Sequence, residues 1–172
     1  MLDHFRMFAA YNEWANATLY AAAADLTQAE LNADCGAFFG SLIATLNHIL
    51  VADRIWMHRF TGKGEAPGRL DAILYPDLPA LAAARASEDV RIRGWIDGLT
   101  EDDLNRDITF TTLVKPEPLT HRLGPAIAHM FNHQTHHRGQ CHAILTSLGK
   151  PSLTLDLFYF QRVEAGRHLA RL

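Results

Sequence analysis

The chain is short of cysteine, has no long apolar run and carries little net charge of either sign. Its 172 residues include two cysteines, Cys35 and Cys141. Two thiols make no disulfide framework, so a reducing cytoplasm is the expected setting. No apolar stretch reaches the roughly 20 residues of a membrane span, and the opening MLDHFRMF lacks a signal peptide's charged-then-apolar layout. Net charge is -3 and the pI is near 6.3, so neither nucleic acid nor an anionic membrane is an expected partner. There is no HExxH, no paired ExxH of di-iron bundles and no phosphate-cradling glycine loop.

What is present is an ordinary globular composition, 48% hydrophobic and 20% charged, on a chain long enough for one domain, taken as residues 1–172, with a sizeable core. Helical periodicity dominates. Leu2 to about Ala24 reads as a first helix, with Phe5, Phe8, Ala15 and Leu19 at helical spacing. Within it, Tyr11 to Asn16 (YNEWAN) reads as packing plus a few local hydrogen bonds. Thr27 and Glu30 have the spacing of a capping box before a short turn. Ser41 to about Phe60 is a second long helix, apolar most of the way round and stopped by Thr61-Gly62.

The stretch from Gly62 to Pro76 is a loop. A third helix is expected from about Asp77 to Gly98, with Asp77 as its cap and Pro79 in the first turn. Thr100 to Leu104 reads as a capped turn. Ile108 to Val114 is the clearest strand signal, foldable through Lys115 to Pro118 against Leu119 to Arg122. A last helix is expected from Leu153 to Leu169, carrying Leu155, Phe158, Tyr159 and Val163. The fold class is therefore all-α, a four-helix bundle with a short β-hairpin insertion and an extra C-terminal helix.

The fourth bundle helix, Leu123 to Leu148, organises the rest. Four of the chain's ten histidines fall within nine of its residues: His129, His133, His136 and His137. Turning each residue by roughly 100° puts Ala126, Ile127, Met130, Cys141, Ile144 and Leu145 on one stripe. His137 lies inside that stripe and His133 just beside it. Such an i, i+4 pair can hold one metal ion, or each can be a core histidine bonded to a neighbour, and the residues leave both readings open. The pair supplies only two ligands. His48, on the second helix, reads alone as a structural histidine and becomes a candidate third ligand because that pair needs one.

Other polar residues have quieter readings. His58 should be solvated, and Glu88 should sit in solvent or at an edge rather than supporting a ligand histidine. Arg54, Arg59 and Arg138 could bind an anionic thiol but read as surface arginines. Cys141 reads as a small apolar residue rather than a fourth ligand, and whether Cys141 or His129 joins a site stays open. Three imidazoles would leave a coordination position for water or substrate and suit zinc, nickel, copper or iron.

NHQTHHRGQ (Asn132 to Gln140), His48 within NHILVADRIW and the early YNEWAN together resemble the DinB-like family over nearly the whole chain. The resemblance implies a four-helix bundle, often a homodimer, with a divalent transition metal (zinc, nickel or iron) on His48, His133 and His137; His136 is not carried over as a ligand. It also implies a metal-dependent enzyme acting through an activated thiol or water, such as an S-transferase using a low-molecular-weight thiol. The contrasting expectation is a stress-associated metal-binding protein without turnover.

Overall fold

The computed structural model describes residues 1–113 and 117–169, with side chains described through Val163. The four long helices lie close to their expected places: α1 (Leu2–Ala23), α3 (Leu42–Thr61), α4 (Leu78–Asp97) and α5 (Leu123–Ser147). Their ends follow local chemistry. Ser41 accepts from the Ala44 amide and Asp77 from the Ala80 amide, each satisfying an amide that the first helical turn leaves unpaired. Gly62 closes α3 at a φ of 68°, a left-handed conformation that costs glycine little. The short α2 (Gln28–Asn32) opens on the reciprocal Thr27–Glu30 capping box.

Contacts between named residues give the order and direction of the bundle. Going round it, α1 packs on α4, α4 on α3, α3 on α5, and α5 back on α1. Glu13 meets Arg93 while Asn12 and Asn16 meet Asp89, so α1 and α4 are antiparallel. Phe5 packs on Phe131 and Asn12 accepts from Arg138, so α1 and α5 run parallel. Asp53 meets Arg85 and Phe60 stacks on Trp95, so α3 and α4 are parallel as well. A parallel neighbour forces the 62–77 segment to travel back along the bundle before α4 can begin. That return path carries it past α3, where Asn47 holds it through the Leu74 and Tyr75 amides.

The hairpin pairs β1 (Asp107–Thr111) with β2 (Pro118–Arg122), Ile108 opposite His121. β1 is shorter than the sequence suggests; Val114 and the Lys115-Pro116 part of the expected turn lie outside the described residues. The last helix, α6 (Leu157–Leu169), starts four residues later than expected. The segment before it stays extended because it is held from outside: the Leu153 amide donates to His142 Nε2 and the Leu155 carbonyl accepts from the Tyr11 hydroxyl. Phe160, rather than Phe158 or Tyr159, is the α6 ring that buries, packing on Tyr11 and Trp14.

Among the described residues, two large apolar clusters form layers across the bundle, and a small third one joins Tyr11, Ala15 and Phe160. One layer joins Phe5, Met57, Phe60, Ile92, Ile96, Ile127 and Phe131; the other joins Leu19, Leu42, Leu46, Leu50, Leu81, Ile144 and Leu145. Between them lies a buried polar layer. Arg85 bridges Asp53 at 2.6 Å and Asp89 at 3.0 Å; Asn12 and Asn16 donate to Asp89. Arg138 donates to Asn12, Asn16 and Gln134, and Gln134 donates to Asp53.

The packed structure overturns several expectations. Arg138 is buried rather than solvated, because three amide oxygens and the Tyr11 ring replace its water. Glu88 is buried against Arg54 and Arg91, away from the histidines. Arg54 is largely covered by Glu65, Glu88 and Tyr75, and Arg59 is half-buried on aromatic rings. The asparagines of YNEWAN bond across helices rather than locally. His58 is half-buried, its Nδ1 on the Gly64 carbonyl. None of the described helices is long and apolar enough to cross a membrane.

Candidate metal centre

α5 places His133 and His137 one turn apart, so their rings lie side by side with centroids 4.3 Å apart. α3 runs antiparallel to α5 and brings His48 to both. His48 Nε2 is 3.2 Å from His133 Nε2 and 3.2 Å from His137 Nε2. The three ligand atoms all lie within 4.8 Å of one another. His48 and His137 are buried and His133 is partly covered.

The far side of two rings is anchored. His48 Nδ1 lies 2.7 Å from the Leu70 carbonyl, on the loop that returns along α3. A carbonyl only accepts, so the proton of His48 sits on Nδ1. His137 Nδ1 lies 2.7 Å from Gln140 Oε1, one turn on, and is a donor by the same reasoning. Both Nε2 lone pairs then face one another with no proton between them. A cation resolves that opposition, so the donor set fits a metal ion.

Electrostatics favour the same state. Burial, then the neighbouring His137 and His48, pushes His133 down to about 3. Burial also lowers His48 and His137. The rings therefore stay neutral near pH 7, as ligands must be. Phe39, on the 33–41 connection, stacks on His48 with ring centroids 3.9 Å apart. Sequence reasoning missed Phe39, Leu70 and Gln140, and only Gln140, by its spacing from His137, left a local signal.

The other candidates lie apart. His129 is exposed and packs on Trp56; His136 is exposed beside His137. Cys141 is buried among apolar side chains, and burial pushes its thiol up to about 12. Among the described residues, the group that could hold an ion is His48, His133 and His137.

The DinB family model matches residues 1–168. The chain belongs to the DinB family. Two solved DinB-like proteins share the DinB fold. One, from Bacillus cereus ATCC 10987, is 18% identical, with 81% of this chain and 89% of that one covered and a TM-score of 0.62. The other, from Bacillus subtilis, is 16% identical, with 86% and 95% covered and a TM-score of 0.62. No curated protein matches the chain.

Proposed function

We propose that His48, His133 and His137 hold one divalent transition-metal ion and that the chain is a metal-dependent enzyme acting through an activated thiol or water, in the manner of a thiol S-transferase. The observation that carries this reading is the convergence of three Nε2 atoms while two of the Nδ1 atoms are held away by fixed acceptors. Zinc, nickel and iron all suit three imidazoles. A bound ion supplies Lewis acidity, which lowers the pKa of a thiol or water brought to it.

The chain's own residues shape what that ligand can be. Three neutral rings bring no negative charge, so an anionic fourth ligand such as a thiolate is favoured. The Phe39 ring and the Leu70 backbone cover His48 and keep water from that side. A closed structural site has four protein ligands, and a three-ligand site favours turnover over the alternative of a non-catalytic metal-binding protein.

The test is metal content by elemental mass spectrometry on the wild type, His48→Ala, His133→Ala and, as a control, His129→Ala. About one ion per chain, lost in the first two variants and kept in the third, supports the site. A protein that stays metal-free after reconstitution with zinc, nickel and iron overturns it. Thiol transfer to an electrophile, present in the loaded wild type and absent in His133→Ala, separates the enzyme from the non-catalytic alternative.

A further inference from the structure

A concave feature lies apart from the histidines, where the C-terminal half of α3 meets the returning loop and the hairpin. It is a cleft of about 470 Å³, walled by Ile55 and Arg59 of α3, Pro67 and Gly68 of the loop, and Thr109 and Phe110 of β1. Its lining mixes apolar side chains with His58, Thr109 and Thr111, and its one permanent charge is Arg59.

Arg59 is held unusually for a surface cation. Its guanidinium lies 4.6 Å from the Trp56 ring centroid and 4.5 Å from that of Phe110. One of its N–H groups donates to the Thr111 carbonyl at 3.3 Å. Among the described residues no carboxylate comes within ion-pair distance of it, whereas Arg54 and Arg85 each have two and Arg91 has one. Burial lowers its pKa without a compensating charge, and a guanidinium stays protonated regardless. Two rings thus fix a planar fork, with donors to spare, in the wall of a cleft that also offers apolar surface from Ile55, Pro67 and Phe110. That is the arrangement that recognises a carboxylate on a small organic molecule.

The cleft and the histidines share two elements. His48, Ala52, Ile55 and Arg59 repeat at i, i+4, i+7 and i+11 and so lie on one face of α3. The rise of about 1.5 Å per residue sets Arg59 about 16 Å along the axis from His48. The loop that contributes Pro67 and Gly68 to the cleft contributes the Leu70 carbonyl to His48. We propose that this cleft is the anion-binding end of the substrate site, with Arg59 seating the carboxylate of an elongated organic acid whose far end reaches the three histidines. The reach to the histidines rests on the metal reading above; the seating of a carboxylate does not.

The first measurement uses metal-free protein and isothermal titration with phenylbutyrate and its neutral amide. The acid should bind at least about tenfold more tightly than the amide, the scale of one charge-assisted pairing. Arg59→Gln should abolish that preference and Arg59→Lys should keep part of it, with thermal melts showing both variants folded. Equal binding of acid and amide by the wild type, or an acid preference that survives in Arg59→Gln, overturns the proposal.

The second measurement uses metal-loaded protein with mercaptopropionate and with mercaptoundecanoate, whose chain is long enough to span the two ends. Arg59→Gln should weaken the long acid about tenfold and leave the short one unchanged, with metal content equal to the wild type. Equal losses for both acids overturn the alignment. Absence of metal in the wild type would instead overturn the metal reading, and the phenylbutyrate result would stand by itself.

Discussion

Gln140 Oε1 lies 2.7 Å from His137 Nδ1, one helical turn further along α5. The contact fixes which nitrogen of His137 carries the proton and how the ring is turned. Removing such an outer partner typically weakens metal binding about 10- to 100-fold. Gln140→Ala should therefore bind the same single ion per chain with an affinity lower by that factor, read by competition with a chromophoric chelator. Unchanged affinity would mean that packing, rather than this hydrogen bond, orients the ring.

The polar layer makes a stability prediction. Asp53→Leu leaves the buried Arg85 short of one of its two carboxylates, and breaking a buried pair this way costs about 3–5 kcal/mol. Urea unfolding should show that loss, and Asp53→Leu combined with Arg85→Met should recover part of it. A single-variant cost below about 1 kcal/mol would show the layer is wetter than its burial implies.

The pH dependence of the metal-free protein has two opposing parts. His133 falls to about 3 in the fold from an ordinary 6.5, so the unfolded chain takes up a proton that the fold refuses. That contribution is present above about pH 6.5 and is lost as the pH falls below it. Burial, against the pull of Arg85, raises Asp53 to about 7 from 3.8. Its contribution runs the other way, full at low pH and lost as the pH rises through 7. Unfolding free energies at pH 5 and 7.5 in the presence of a chelator should show His133→Ala losing less stability on acidification than the wild type. Equal losses would place His133 in water.

The two thiols should differ in reactivity. Cys141 is buried and its thiol is pushed up to about 12, whereas Cys35 is only partly covered. Ellman's reagent should titrate one thiol per chain in the native protein, at Cys35, and two after unfolding. Native labelling of Cys141 at a comparable rate would show that α5 opens locally.

The sequence by itself determined the elements and one edge of the site. Ser41, Asp77 and Gly62 mark helix ends because caps act within a turn. The 3.6-residue period puts His133 and His137 side by side wherever α5 lies. Tertiary structure decided what meets them. His48 joins the pair because α3 runs antiparallel to α5, and the Leu70 carbonyl reaches His48 because parallel α3 and α4 force the intervening loop back along the bundle. The burial of Arg138 and Glu88 belongs to the same class. A charged residue tolerates the interior only when its partners arrive with it, donors for Glu88 and acceptors for Arg138, and the Asn12 oxygen that receives Arg138 is 126 residues away. No local pattern encodes that distance, so periodicity assigns such a residue to solvent and only the packed chain puts it inside.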